Sequence, residues 1–510
     1  MYGLTENPVF VRHLRAEMRA PRMFLAGGLA LVICMLIALT HSQWLENQFP
    51  GATKLTTAQT LYFWIFCPLA LILPLWCFSS CLQSVANERQ MKTYDFVRTT
   101  RMNALELMIG YVFGAPVMAY YTIGITVLVA FISGIGAHVP VGAMLLTLLM
   151  LALITMFTSL VGLLISLFVE KPRAAGLLLV FLLVWPLMSI AFAAADSPFP
   201  GISALAIVPG LLPFYGVTDL PAPTQQAEFF GVALPAVVLS LLLYASLGVW
   251  VVLAILNNIK KERDEIRVFT NRQAIGFAIY VNLMMVGFFH PSPRYVSRNL
   301  LEEAFFVLLA LNSMLFYLIG TFTLTPQERL LSWFRQRQLG RQSYFSDDGL
   351  AWPWVGLAGL IGYAAFLCIW MVARDHGGQI TLPVGAVSFL IMIVFAARDV
   401  LFLQWCMLTK MKHPVSRGVA LLLLYYVAAV VIGTMLSQPS AFHPGLAPML
   451  SMLTPAGAFD VESKDMVRFI GLGLQALLSG CLLFLIHDRL AAGMKLDFRD
   501  TPPSAFRAGA

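Results

Sequence analysis

AMLLTLLMLALITMFTSLVGLLISLFV, residues 143–169, runs 27 positions without a charge. At 1.5 Å per residue a helix of this length reaches about 40 Å, more than the roughly 30 Å of a bilayer core. A membrane-spanning helix is the reading that fits. Working outward, similar stretches recur along the 510 residues, and the composition agrees: 59% hydrophobic and 12% charged, against about 45–50% and about 25% for soluble domains. The pattern predicts an all-α polytopic membrane protein with about twelve transmembrane helices. They lie near 23–40, 61–82, 108–132, 143–169, 175–195, 232–256, 274–289, 304–324, 353–372, 380–408, 419–436 and 467–486.

A net charge of +7 invites a nucleic-acid reading, but the distribution of the charges supplies another. With the N-terminus in the cytoplasm, the inner segments hold 26 of the 33 Lys and Arg residues and the outer segments six, with Arg398 in or near a span. The positive-inside rule accounts for this asymmetry. It places both termini inside and accounts for the basic charge through the lipid bilayer, with no nucleic-acid partner expected.

The seven cysteines all fall within apolar stretches and carry no CxxC pair, so they read as packing residues. No HExxH or GxSxG motif occurs and the eight histidines are dispersed, which argues against a membrane enzyme or a metal site in this chain. The N-terminal segment does not have the layout of a cleavable signal. Arg12, Arg15, Arg19 and Arg22 share a helical face, with Phe10, Leu14 and Met18 roughly opposite, as in a helix lying along the inner membrane surface.

The order of connections repeats. In each half a short outer loop is followed by a long charged inner segment, short turns, and a long outer segment before the last span. LAIVPGLLPFYGVTD (Leu205 to Asp219) and LAPMLSMLTPAGAFD (Leu446 to Asp460) occupy corresponding places and share five of fifteen residues. Two pseudo-repeated six-helix halves follow from this layout. The expected organisation is an interfacial amphipathic helix (1–22), a first half (23–262), a second half (263–490) and a cytoplasmic tail (491–510).

ANERQMKTYDFVRTTRMN, Ala86 to Asn103, carries six charges between two of these spans. Glu88 lies four residues before Lys92, a pair that supports a helix. An amphipathic helix is expected, either docked into another protein or held at a lipid surface. GYVFG, Gly110 to Gly114, is a GxxxG match that permits close helix packing, though chance also produces such matches.

From NPVFVRHLRAEMR through ANERQMKTYDFVRTTRMNALELMIGYVFG, the first half resembles the membrane subunit of ATP-binding-cassette exporters of the second permease type. That class exports drugs, polysaccharides and lipids. Glu88, Arg89, Thr93, Phe96, Val97 and Gly110 match the family pattern; Lys92, where glycine is common, and Tyr111, where a basic residue often follows the glycine, depart from it. In the second half, Glu328, Arg329, Trp333 and Phe334 of LTPQERLLSWFRQRQLGRQS stand as counterparts.

The resemblance implies a double-length bacterial inner-membrane permease that forms the translocation path. A separate ATP-binding subunit, in two copies, would grip Glu88, Arg89, Lys92, Thr93, Tyr94, Asp95 and Phe96, and Glu328, Arg329, Trp333, Phe334 and Arg335. ATP and Mg would bind that partner, since no GxxxxGK[ST] phosphate loop occurs here and no cofactor is expected on this chain. The substrate is unknown, with amphiphilic or lipid-linked cargo compatible with apolar walls.

The rival reading is a twelve-span secondary transporter driven by an ion gradient. Its clearest candidate is Arg398 with Asp399 in VFAARDVLFLQWC. The pair is buried if the span continues to Leu408, or starts a surface or inner-leaflet helix if the span ends near Ala397. The second is expected, because a charge at the bilayer centre costs about 2.5–3.5 kcal/mol on insertion scales.

Overall fold

Backbone polar groups that cannot reach water must pair within the chain, and long apolar stretches meet that demand as helices. The computed structural model describes residues 4–48, 57–168, 226–261, 267–289, 300–373, 382–409, 414–436, 454 and 465–500. Among the described residues, eight helices are long and apolar enough to cross a membrane. The spans expected at 61–82, 274–289 and 419–436 are also helical, while the one expected at 175–195 lies outside the described residues. So do Leu205 to Asp219 and, apart from Thr454, Leu446 to Asp460.

The chain divides into two compact units, residues 1–228 with 232–268 and residues 229–231 with 269–510. In the first, α1 (Pro8–Glu17) precedes α2 (Ala20–Gln48), α3 (Thr57–Gln90), α4 (Tyr94–Arg98), α5 (Ala104–Gly114), α6 (Val117–Gly136) and α7 (Val141–Phe168). A two-stranded hairpin, β1 (Gln226–Phe229) and β2 (Val232–Pro235), leads into α8 (Ala236–Asn258). The hairpin turn places Phe230 and Gly231 at positive φ (51° and 73°), the geometry that tight two-residue turns favour.

The second unit contains α9 (Asn271–Phe288), α10 (Leu300–Phe322), α11 (Gln327–Gln338), α12 (Trp352–Ala373), α13 (Leu382–Met407), α14 (Pro414–Leu436) and α15 (Asp465–Asp500).

Several helix pairings recur between the units. In the first, α2 packs on α3 and α6, α3 on α6 and α7, and α7 on α8. In the second, α9 packs on α10 and α12, α10 on α12 and α13, and α13 on α15. Taken in chain order, these five pairings correspond, while the second unit adds a close α12–α13 contact that is slight between α6 and α7, and an α13–α14 contact. Polar side chains fix some of the contacts: Ser166 accepts a 3.0 Å bond from the Ala86 amide, joining α7 to α3. Asn282 and Asn312 exchange two amide bonds, of 3.0 and 2.9 Å, between α9 and α10. Such bonds between membrane helices contribute about 0.6 kcal/mol on average.

Several expected boundaries move. The third span does not start at Met108 as one helix, because Ala115 and Pro116 separate α5 from α6. Proline has no amide hydrogen to donate and its ring obstructs the preceding turn, so it caps α6 instead of continuing α5. Val232 to Pro235, expected as the start of a span, form a strand, and α8 begins after Pro235. The N-terminal arginines are also divided, with Arg12 and Arg15 on α1, Arg19 in the break after it and Arg22 on α2.

Candidate functional site

The charged segment Ala86 to Asn103 is not one amphipathic helix. Helix α3 runs to Gln90, and the chain then reverses through a left-handed residue, Lys92, at φ 57°. The Thr93 amide donates to the Glu88 carbonyl (2.9 Å) and the Lys92 amide to the Arg89 carbonyl (3.0 Å). This pair of bonds is the Schellman helix stop, whose left-handed position is usually glycine. Lys92 therefore cannot lie one helical turn beyond Glu88, and the expected i,i+4 pairing between them does not form.

Glu88 pairs elsewhere. It is buried, with Arg12 Nη2 of α1 donating to Oε1 and the Tyr111 hydroxyl of α5 donating to Oε2 at 2.5 Å. Helix α1 is held at this place by its own cap. Asn7 Oδ1 accepts from the Val9 and Phe10 amides, and Asn7 Nδ2 donates to the Glu106 carbonyl at 2.7 Å. Glu106 in turn accepts from the Asn103 amide at the start of α5 (2.9 Å), a reciprocal capping arrangement.

Close approach of α1 to α5 requires the two glycines of GYVFG. A β-carbon at Gly110 would lie 2.7 Å from Asn7 Oδ1 and 2.9 Å from Val9 Cβ, and one at Gly114 would lie 3.2 Å from His13 Cβ and from Phe10 Cα. The GxxxG match thus seats a surface helix. His13 sits beside Tyr111, ring centroids 5.9 Å apart, with its Nε2 buried and unpaired. Burial, helped by the Arg12 charge, lowers its pKa to about 4.

Beyond the turn, Tyr94 is buried and its hydroxyl donates to the Ile259 carbonyl at 2.6 Å. The Arg89 guanidinium lies 4.9 Å from the Tyr94 ring and donates to the Leu167 carbonyl. Burial pushes the Tyr94 phenol up to about 12, with the Arg89 charge opposing. Lys92, Thr93, Asp95 and Phe96 are exposed, as is Met91; Phe96 reaches 77% and Met91 65% of full exposure. Large apolar side chains exposed beside charges form a small projecting knob on α4 and the turn before it.

The counterpart in the second unit has a different build. Pro326 starts α11, Glu328 lies in its first turn and Arg335 and Arg337 in its last, the charge order that suits the helix dipole. Leu330, Trp333 and Phe334 share one face and are buried with Leu350, Leu401, Ile486 and Leu490. The Phe334 ring meets His487 edge-on at 5.1 Å. Trp333 donates from Nε1 to the Ser343 carbonyl (3.1 Å), and Arg337 stacks on the Trp333 and Tyr344 rings. Glu328 and Arg335 are exposed and Arg329 half-buried.

Of the coupling residues selected from sequence, Glu88, Arg89, Tyr94, Trp333 and Phe334 thus face inward, while Lys92, Thr93, Asp95, Phe96, Glu328, Arg329 and Arg335 line the surface. The partners Asn7, Arg12, His13, Tyr111 and Ile259 were missed. Tyr111 carried a signal as a departure from the family pattern, and Arg12 as part of the basic face of the N-terminal helix, but neither pointed to Glu88.

The expected surface position of Arg398 and Asp399 is overturned. Helix α13 continues to Met407, and both side chains are buried, Asp399 at 1% exposure. Satisfied hydrogen bonding makes this burial tolerable. Arg398 bonds Asp399 Oδ1, the Tyr425 and Tyr426 hydroxyls and Gln475 Oε1. Asp399 Oδ2 accepts from the hydroxyls of Tyr317 (2.9 Å) and Tyr426. The cluster joins α10, α13, α14 and α15.

Residues 57–197 match the family model of the ABC-2 type transporter. The match covers α3 to α7, so it includes the Schellman turn, the knob and the GYVFG seat. Together with the eight apolar helices, it supports a multi-pass membrane protein with a transport permease role. No curated protein matches the chain.

Proposed function

We propose that this chain is the permease of an ATP-driven exporter, with both units contributing six-helix halves of one translocation path and a separate ATP-binding subunit gripping the charged turns. The match over residues 57–197 carries the reading, because it spans the pinned turn that ends in Met91 and Phe96. Recurrence of the same helix pairings in the two units supports a duplicated permease. In this reading both termini are cytoplasmic and the membrane is a bacterial inner membrane. ATP and Mg bind the partner, in two copies, and the cargo is amphiphilic or lipid-linked.

The contact surface for the partner is then Met91, Lys92, Thr93, Asp95 and Phe96 in the first unit and Glu328, Arg329 and Arg335 in the second. Glu88, Arg89, Tyr94, Trp333 and Phe334 act from behind, holding those surfaces in place. Ion-driven transport finds less support: Asp399, its candidate carboxylate, is already taken up by Arg398, Tyr317 and Tyr426.

The test is affinity purification of the whole chain from its native membrane. A phosphate-loop ATPase should accompany it and be lost from a Met91→Asp, Phe96→Asp variant that keeps its thermal stability. Ion-gradient transport by the chain alone in vesicles, with no ATPase bound, would overturn the reading.

A further inference from the structure

The two charged turns differ in sequence, length and chemistry, yet each is seated on the same relative element. Tyr94 reaches Ile259, the C-cap residue of α8, whose carbonyl would otherwise be one of the unpaired groups at a helix end. Val85, Tyr94, Leu107, Ile255 and Ile259 bury one another around that bond. In the second unit Leu330, Trp333 and Phe334 pack on Ile486 and Leu490 of α15, with His487 against the Phe334 ring. Helices α8 and α15 are each the last described spanning helix of their unit.

We infer that in each unit this last spanning helix takes up the movement of the charged turn and carries it across the membrane. Tyr94 in one unit, and Trp333 with Phe334 in the other, are positioning residues that hold the turn to the helix. A hydrogen bond serves in one seat and aromatic packing in the other, so the shared juxtaposition does not come from a shared side chain. Only 28% of the α8 span and 17% of the α15 span is buried, against 61% for α13. A span with few buried residues moves with less repacking than α13, although a shift of α15 also has to remake the Gln475–Arg398 bond. Being continuous, α8 transmits a push at Ile259 over its whole length.

The inference rests on the exporter reading, and its test separates the two. In a Cys368→Ser, Cys481→Ser background, which removes the thiols exposed among the described residues, a spin label is placed at Leu242→Cys on α8 or Ile470→Cys on α15. Both positions are exposed and lie about 25 Å along the helix from the seats at Ile259 and His487. A third label at Trp76→Cys on α3 is the control. The full chain with its copurified ATPase is compared with and without ATP and vanadate.

In the unmodified protein the α8 and α15 labels should shift on nucleotide trapping. Tyr94→Phe should cut the α8 shift about fivefold, the effect of losing one hydrogen bond on a two-state population. The α3 label and ATP hydrolysis should be retained, and transport per ATP should fall. Phe334→Leu should do the same at α15, and serves if Tyr94→Phe does not fold. Full shifts in both variants overturn the inference and leave the exporter reading standing. Absence of any nucleotide-dependent shift with the ATPase bound overturns the inference alone, and absence of a copurifying ATPase removes both.

Discussion

Replacing Glu88 by alanine should release α1. Three consequences follow from the geometry. The ion pair with Arg12 is lost; because the Arg12 side chain is 45% exposed, water screens it and its contribution is at most about 1 kcal/mol. The Tyr111 hydroxyl, fully buried, is left without its acceptor, at a cost of about 1–3 kcal/mol. The third is a small void where the carboxylate stood. A total near 2–4 kcal/mol raises the undocked population of α1 by a factor of about 30 to 1,000. Hydrogen exchange over residues 9–17, or tryptic cleavage at Arg15, reads that population directly. Glu88→Gln separates the contributions, because its amide oxygen still accepts from Tyr111 and only the screened charge is lost; its effect should stay below about 1 kcal/mol. Equal α1 protection in the alanine variant and the unmodified protein, or equal loss in both variants, would refute the reasoning.

Other substitutions test neighbouring features. Lys92→Gly removes a left-handed side chain worth about 1–2 kcal/mol of strain and adds about 0.5–1 kcal/mol of unfolded-state entropy, so stability should be unchanged or raised by up to about 1.5 kcal/mol; a clear loss of stability contradicts the helix-stop geometry. His13 is half-buried, with its pKa lowered from 6.5 to about 4. Docked α1 is therefore unpenalised above pH 6.5 and loses up to about 3 kcal/mol as pH falls from 6.5 towards 4, since the released form binds the proton first. Exchange at residues 9–17 measured at pH 7.5 and 5 should show the loss, and His13→Gln should diminish it. Asp399→Asn leaves Arg398 buried without its counter-charge and should destabilise by about 3–5 kcal/mol, while Arg398→Met with Asp399→Leu should be far milder. Normal stability with transport abolished in Asp399→Asn would instead place the carboxylate in the transport path.

Helices, their apolar character and the place of the polar turns were legible because each is local, a matter of span length and charge. Pro116 was equally visible as a break, but the apolar run on either side masked it. The partners of Glu88 were hidden for another reason. Arg12 lies 76 residues away, and helical spacing favoured Lys92, which the left-handed turn carries out of reach. Arg398 and Asp399 show the same limit: a price set by insertion scales assumes lipid or water nearby, whereas Tyr317, Tyr425, Tyr426 and Gln475 converge from three other helices. Resemblance located the charged turns, but only packing separates the side chains that anchor them from those that project.

A photoreactive amino acid placed at position 96, where the α4 side chain is 77% exposed, tests the central claim most directly. Irradiation of intact cells should yield one main adduct with an ATP-binding protein, diminished when Met91 is also replaced by aspartate. A folded, membrane-inserted chain that gives only lipid adducts at position 96, and that transports in vesicles without ATP, would contradict the account.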